Sequence, residues 1–236
     1  MTTEKINDGN PIWIPLESNP EAFNKYINGL EIGGVECVEI YGFDDDLLSF
    51  VPGPHFALIF CFPYSEKSYA SVNNVYKDLI AEGKDKVPEG VFFMKQKIHN
   101  ACGTFSLLHS LTNNLQNIDI GKGPFASWFE MAKTLGVEER SDCLFKNNAM
   151  AQAHLKCAES GETQAPPADK VQYHFIAYLN HGGRLLEFDS SQHFPRDCGT
   201  TSAANLLSDA GKQCKKLMEN LGDITCNALA LVQKKV

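Results

Sequence analysis

One cysteine lies at the point where a loop meets a predicted helix. Cys102 belongs to residues 96–110, QKIHNACGTFSLLHS, and the apolar residues after it have the spacing of a mostly buried helix. The first N–H groups of a helix lack intrahelical partners and carry partial positive charge, which favours a thiolate over a thiol. Gly103 leaves room for a substrate backbone to approach. Cys102 is therefore a candidate nucleophile, although a structural cysteine that happens to begin a helix has the same local pattern.

A thiolate nucleophile needs a histidine to carry the proton and a third group to hold that histidine. His174 opens a predicted strand and Asp189 closes the next one. If the hairpin is symmetric about His181 and Gly182, His174 faces Asp189 with the two Cβ atoms about 5 Å apart. A polar pair at the edge of a sheet is the alternative interpretation. A register slip of a single residue would separate the two side chains.

Three further polar residues lie near Cys102. His99 is adjacent in sequence, and His109 follows two helical turns later, about 10 Å away at the usual rise. Neither has a carboxylate placed to orient it, so both are predicted to be packing or surface residues. Gln96 precedes Cys102 by six residues. Its amide could donate to an oxyanion together with the backbone N–H of Cys102, but the spacing alone is more typical of an ordinary polar loop.

The elements that position these residues are predicted from apolar periodicity and capping residues. Asn19, Pro20 and Glu21 suit the cap, first position and first turn of a helix. Further helices are predicted over residues 72–80, 101–115, 125–135, 147–157 and from a cap at Ser202 to near Gly222. Strands are predicted over residues 35–41, 55–62, 91–94, 174–179, 184–188 and 224–232.

Helices and strands interleave along the chain without an internal repeat. This pattern predicts one domain over residues 1–236, built as a sheet with helices on both faces. Residues 159–170, ESGETQAPPADK, contain a glycine and two prolines and almost no large apolar side chain, so they are predicted to form a loop.

Composition and charge restrict the function classes. The 236 residues are 43% hydrophobic, and no apolar run is long enough to cross a bilayer or to act as a signal peptide. We therefore expect a cytoplasmic protein, with the nucleus as a second compartment, and no membrane partner. The net charge is −8 and no Lys/Arg run is present. That balance disfavours nucleic acid and favours a basic protein partner, although it is equally typical of plain solubility.

The eight cysteines do not have the spacing of a metal site. They include no CxxC pair and no tight Cys/His cluster, so we expect no metal and no other cofactor. Several, such as Cys61 and Cys226, lie in apolar runs typical of reduced, buried thiols. The even count leaves disulfides as an alternative.

The candidate residues lie in blocks that resemble the active-site motifs of ubiquitin carboxy-terminal hydrolases. The blocks are QKIHNACGT around Cys102, HFIAY around His174 and LLEFD ending at Asp189. The resemblance is to the small single-domain isozymes and covers nearly the whole chain. It includes residues 13–21 (WIPLESNPE), 39–54 (EIYGFDDDLLSFVPGP), 92–96 (FFMKQ) and 194–202 (FPRDCGTTS).

The resemblance implies a fold and a reaction. The fold is an α/β/α sandwich with a mainly antiparallel central sheet, related to papain-like cysteine proteases and with a knotted backbone. Cys102 would attack the carbonyl of ubiquitin's C-terminal glycine to form an acyl-thioester, with Gln96 at the oxyanion. His174 would move the proton and Asp189 would hold it. Residues 159–170 would be the active-site crossover loop, which favours small adducts, and we expect a monomer.

The resemblance also implies a ubiquitin-binding set, with acidic members suited to ubiquitin's arginines. The set is Pro15, Leu16, Glu17, Asn19, Pro20, Glu21, Glu39, Ser160, Gly161, Glu162, Thr163, Asp223, Ile224 and Asn227. Tyr173 departs from the Leu that is common in the family, His99 departs from Ser, and the crossover loop is about one residue shorter. These departures leave the preferred leaving group open. Two alternatives also stay open: a low-turnover protein that stabilises free ubiquitin, and the same chemistry on a ubiquitin-like modifier.

Overall fold

The computed structural model describes residues 9–161, 166–167, 170–222 and 225–235. Within these ranges the helices are α1 (Pro20–Gly29), α2 (Asp45–Leu48), α3 (Glu66–Ala81), α4 (Cys102–Thr112), α5 (Pro124–Ala132), α6 (Val137–Lys146), α7 (Asn148–Ala158) and α8 (Leu206–Leu221). The strands are β1 (Val35–Ile40), β2 (His55–Pro63), β3 (Tyr173–His181), β4 (Arg184–Phe188), β5 (Arg196–Thr200) and β6 (Asn227–Gln233). They form one sheet in the order β1-β6-β2-β3-β4-β5, and every neighbouring pair is antiparallel.

The central strand β2 is apolar because both faces of the sheet are covered. Ala57, Ile59 and Cys61 point into a core shared with α1, α4, α5 and α7. Leu58, Phe60 and Phe62 alternate with them and point into a second core shared with α8. This arrangement confirms the predicted α/β/α layers and antiparallel sheet. None of the helices within the described ranges combines the length and apolarity needed to cross a bilayer.

Helix α4 lies inside one core. All of its residues are buried, and it packs against β3. This environment explains why its sequence is apolar on every side rather than along one stripe. Because the helix is enclosed, its first residue, Cys102, has a fixed position.

Several sequence-based element predictions differ from the structure, and helices α2 and α6 were not predicted. Residues 91–94 are buried but form no strand, because side chains of α4 and of its C-cap residue take the place of a strand partner. The Phe92 N–H donates to Oδ1 of the C-cap residue Asn113 at 2.8 Å, and the Met94 N–H donates to His109 Nε2 at 3.0 Å. Strand β5 was not predicted, since its RDCGT sequence lacks apolar alternation. The last helix begins at Leu206, because Ser202 closes a turn onto the Asn205 N–H instead of capping the helix.

Candidate active site

Cys102 is the first residue of α4 and is 6% exposed. Its thiol interacts with the imidazole of His174, which lies at the start of β3, and this interaction contributes to a raised pKa of the histidine. Nε2 of His174 is 2.8 Å from Oδ1 of Asp189, so Nδ1 is the nitrogen that remains for the thiol. The Asp189 carboxylate also accepts the Ser191 N–H at 2.8 Å. The structure therefore brings a thiol, an imidazole and a carboxylate into one chain of contacts.

The predicted hairpin register was wrong by two residues. His181 pairs with Arg184, so the turn contains only Gly182 and Gly183. Both glycines have positive φ, 57° and 83°, as a two-residue hairpin turn of this kind requires. Continuing the observed pairing places Asp189 opposite residue 176 rather than residue 174. Because an even shift keeps every side chain on its own face, Asp189 still reaches His174 as a diagonal neighbour.

His174 and Asp189 shift each other's pKa because both are buried and in contact. Burial on its own would lower the pKa of His174, but the Asp189 charge and the hydrogen bonds to Asp189 and Cys102 raise it above the ordinary value. The same imidazolium lowers the pKa of Asp189 below its usual range despite burial. The site therefore favours an imidazolium that is held by a carboxylate, which is the partner that a thiolate requires.

Rings on two sides fix the imidazole of His174. Phe62 meets it edge-on with ring centroids 5.8 Å apart, and Tyr64 lies at 5.0 Å with a tilt of 39°. Both residues belong to the β2 strand or its end, next to β3. The histidine is thus positioned by packing as well as by hydrogen bonding.

The other two histidines near Cys102 lie in different environments. His109 is buried between Phe93 and Phe188, at 5.0 and 5.2 Å between ring centroids, and burial lowers its pKa to about 3. Its Nε2 accepts the Met94 N–H, which makes it a packing residue as expected. His99 pairs its backbone with Pro11 and Trp13, and its side chain lines a cavity beside Cys102.

Gln96 is held in one orientation by a residue that the sequence analysis missed. The Ser190 hydroxyl donates to Gln96 Oε1 at 2.7 Å, and Gln96 Nε2 donates to the Ile98 carbonyl at 2.8 Å. The Gln96 N–H also donates to the Ser190 carbonyl at 2.8 Å. Since Ser190 holds the oxygen end, the amide nitrogen is the donor end, and one of its two N–H groups is not used by the Ile98 carbonyl. Ser190 directly follows Asp189 in sequence, and that adjacency was the available signal.

Two cavities meet at Cys102. The larger, about 610 Å³, is lined by Leu16, Glu17, Ser18, Phe175 and Asn227 among others. The smaller, about 380 Å³, contains Gln96 and His174 and a set of basic and aromatic residues. Both volumes lie in the range of about 300–1,000 Å³ that is typical of small-ligand sites. Because Cys102 lines both cavities, one cavity can hold the part of a substrate before the scissile bond and the other can hold the part after it.

The model of one protein family matches most of the chain. It is described as ubiquitin carboxyl-terminal hydrolase, family 1, and it matches residues 13–219, which include Cys102, His174 and Asp189. The chain belongs to this family. The predictions of a ubiquitin carboxyl-terminal hydrolase and of a cysteine-dependent enzyme are thereby confirmed.

Relatives agree with this membership, and a solved structure has a similar fold. A ubiquitin carboxyl-terminal hydrolase of Drosophila melanogaster is 40% identical, covering 87% of this chain and 90% of its own. Ubiquitin carboxyl-terminal hydrolase 3 of Arabidopsis thaliana is 34% identical over 99% of this chain and all of its own. The fold is similar to the Trichinella spiralis UCH37 catalytic domain bound to ubiquitin vinyl methyl ester, with a TM-score of 0.74, 21% identity, and coverage of 99% and 98% of the two chains.

The residues that the family resemblance assigned to ubiquitin binding fall into three groups. Pro15, Leu16, Glu17, Gly161 and Asn227 line the larger cavity. Asn19, Pro20, Glu21, Glu39 and Ser160 are not among the residues that line it. Glu162, Thr163, Asp223 and Ile224, with part of the proposed crossover loop, lie outside the described residues.

The second group has identifiable structural contacts. Asn19 Oδ1 accepts the Ala22 N–H at 2.7 Å and caps α1, whose first residue is Pro20. Glu21 forms an exposed ion pair with Lys25 at 2.8 Å. Glu39 Oε1 accepts from Asn227 Nδ2 at 3.0 Å, and it thus supports a residue that does line the larger cavity.

Several cavity residues could not be found from the sequence. Cys61 and Phe175 line the larger cavity because β2 and β3 are neighbours, and strand order is not visible in periodicity. Ser18 lies within the family-like segment 13–21, and its hydroxyl donates to Asn227 Oδ1 at 2.7 Å. That bond ties the segment before α1 to the start of β6.

Proposed function

We propose that this protein is a deubiquitinating thiol hydrolase. It removes small adducts or short peptide extensions from the C-terminal glycine of ubiquitin. The observation that carries the proposal is the buried chain of Cys102, His174 and Asp189, with 2.8 Å between His174 Nε2 and Asp189 Oδ1, at the junction of two cavities. Family membership supports the same reaction. We further propose that the chain acts as one catalytic domain, as a monomer, in the cytoplasm.

In the proposed acylation step, the Cys102 thiolate attacks the carbonyl carbon of the glycine and His174 carries the proton. The carbonyl becomes a tetrahedral oxyanion, and the bond to the leaving nitrogen then breaks as His174 donates its proton to that nitrogen. Water, deprotonated by His174, attacks the resulting thioester and releases the glycine carboxylate and the thiolate. Asp189 keeps its charge throughout and holds the imidazolium.

We assign the oxyanion to two donors. One is the backbone N–H of Cys102, which lies among the first N–H groups of α4, where no intrahelical partner exists. The other is the second N–H of Gln96 Nε2, since its first N–H is held by the Ile98 carbonyl. A donor aimed at a developing oxyanion typically contributes about 10²–10³ in kcat.

Ubiquitin is the proposed partner. The T. spiralis relative in the structural comparison was solved with ubiquitin vinyl methyl ester, which supports this choice. In this chain the larger cavity combines apolar Leu16 and Phe175 with the carboxylate of Glu17 and with Lys170, so it suits an extended tail that has both apolar and polar groups. A cavity this narrow receives an unfolded tail and not a folded domain, so the body of ubiquitin would remain outside.

The test compares wild-type protein with Cys102→Ala on a fluorogenic ubiquitin C-terminal amide, and measures ubiquitin binding by both. We expect turnover by the wild type, loss of turnover in the variant by at least about 10⁴-fold, and retained binding. Cys214→Ala is the matched control, because Cys214 is buried in the opposite core against α8. Tight binding without Cys102-dependent turnover would contradict the enzyme and favour a ubiquitin-stabilising protein. A parallel panel of ubiquitin-like modifiers measures modifier preference.

A further inference from the structure

The two cavities that meet at Cys102 differ in charge. Among the described residues, the smaller cavity is lined by Lys95, Lys97 and His99 and by no carboxylate. The larger cavity contains the carboxylate of Glu17 together with Lys170. If the larger cavity takes the ubiquitin tail, as proposed above, the smaller one takes the leaving group.

The two lysines of the smaller cavity are held in place. Lys95 Nζ donates to the Ser191 carbonyl, two residues beyond Asp189. Lys97 Nζ lies 3.4 Å from both Glu138 and Asp142, at the long end of ion-pair geometry, and its side chain is 33% exposed. These acids belong to α6 and line neither cavity. Both lysines thus line the cavity, whereas the acids that balance Lys97 lie outside its wall.

Lys95 is only partly compensated. Burial lowers its pKa, although the charges of Asp189 and Glu138 act in the opposite direction. A half-buried ammonium group that has lost part of its hydration gains from a carboxylate placed beside it. A ligand carboxylate in this cavity would supply that interaction.

Part of the cavity wall is aromatic. Tyr64 and Tyr69 meet edge to face with ring centroids 5.8 Å apart, and Tyr173 is 47% exposed. Such rings pack against the carbon atoms of a short chain. The cavity volume of about 380 Å³ limits the group to roughly one or two residues.

We propose that the smaller cavity is an anion-selective leaving-group site, so that the preferred substrates are ubiquitin adducts whose leaving amine carries a carboxylate within one residue of the scissile nitrogen. This inference rests on the proposed function. The reaction is unchanged: the C–N bond breaks, the leaving nitrogen takes a proton from His174, and the amine departs past Lys95 and Lys97.

The experiment measures kcat/KM for ubiquitin extended at its C-terminal glycine by Glu-Ala amide, Gln-Ala amide or Lys-Ala amide. These substrates differ only in the charge next to the scissile bond. We expect wild-type protein to prefer Glu over Gln by about five- to tenfold and to cleave the Lys substrate slowest. The preference should shrink as salt is raised, because half-exposed charges are screened.

Variants test whether the preference for the Glu substrate comes from the lysines of the smaller cavity. Lys97→Met and Lys95→Met should each reduce the Glu/Gln ratio toward one, and Lys97→Glu should invert the preference toward the Lys substrate. An inverted preference cannot result from misfolding. Lys122→Met removes the same charge at an exposed position in the loop before α5, and should leave both the ratio and the rates unchanged.

Two results would overturn the inference, and they are distinguishable. Equal cleavage of the three peptide substrates by wild-type protein, or a ratio that survives Lys97→Glu, removes the anion selectivity and leaves the hydrolase intact. Absence of Cys102-dependent cleavage of these substrates and of the fluorogenic amide removes the proposed function and the leaving-group site with it.

Discussion

At the residue scale, the site is determined by how one buried carboxylate sets the charge of one buried imidazole. Because the pKa of His174 is raised, its stabilising contribution is complete below the unfolded histidine value of about 6.5 and is lost as pH rises through the folded value. Asp189 behaves in the opposite way. Its pKa is lowered, so its contribution is present above the unfolded value of about 3.9 and is lost as pH falls through the folded value. The His174–Asp189 pair therefore contributes most to folding stability between the unfolded aspartate pKa of about 3.9 and the unfolded histidine pKa of about 6.5.

Asp189→Asn should lower kcat/KM at neutral pH by about 10²–10⁴-fold. It should also move the alkaline limb of the pH profile to lower pH, since burial then dominates the pKa of His174. The measurements are the pH dependence of kcat/KM and an NMR titration of the His174 ring. Asp197→Asn is the control, because Asp197 carries the same charge in a half-exposed pair with Arg184. An alkaline limb that stays in place in Asp189→Asn would show that Asp189 does not set the protonation of His174.

At the element scale, the N-termini of α4 and α1 differ in whether a side chain caps their first N–H groups. Helix α4 begins with the candidate nucleophile and has no side-chain cap, so its first N–H groups stay available for an oxyanion. Helix α1 begins with a full cap from Asn19 and has Pro20 at its first position. Residues 13–18 run from this cap to the larger cavity and contact α4: Leu16 Cβ would lie 3.3 Å from a Cβ at Gly103. A stable start to α1 thus fixes the wall of the substrate cavity.

Asn19→Ala should reduce the free energy of unfolding by about 1 kcal/mol through loss of the cap, whereas Asn19→Ser keeps an acceptor oxygen for the cap and should reduce it less. Urea unfolding of both variants measures this difference, and KM for the fluorogenic ubiquitin amide is measured alongside. If Asn19 acts by contacting ubiquitin and not as a cap, Asn19→Ala will raise KM while leaving stability unchanged.

At the scale of the whole molecule, two buried neutral histidines make the free energy of unfolding depend on pH below neutrality. Burial lowers the pKa of His109 to about 3 and that of His154 to about 4. His154 joins two parts of the fold, since its Nδ1 lies 2.8 Å from Thr104 Oγ1 and its Nε2 lies 2.9 Å from the Ile14 carbonyl. Between pH 6.5 and the folded pKa values, the unfolded chain binds protons that the folded chain does not. Stability must therefore fall as pH falls through this window.

Each of these histidines should lower the free energy of unfolding by about 1.4 kcal/mol for each pH unit that the pH falls between 6 and 4.5. Denaturant midpoints measured across this range in His154→Gln should show roughly half the histidine-linked slope of the wild type. His193→Gln serves as the comparison, because the His193 side chain is 71% exposed. Identical slopes in His154→Gln and wild-type protein would mean that His154 titrates normally in the folded state.

The sequence by itself determined the features that depend on local periodicity. The position of Cys102 at the start of a buried helix follows from the spacing of apolar residues in α4. The shared face of His174 and Asp189 follows from the two-residue repeat of strands, which is why it survived a wrong register. Asn19 and Pro20 identify the start of α1 because capping is a property of neighbouring residues.

Only the tertiary structure decided which distant residues meet. The insertion of β6 between β1 and β2 brings Asn227 beside Ser18 and Glu39. The approach of residues 190–191 to residues 95–96 orients Gln96 and fixes Lys95. The two cavities, and the charge difference between them, result from these long-range contacts. Such contacts depend on sheet order, turn length and packing across the chain, and none of these leaves a repeat in the local sequence.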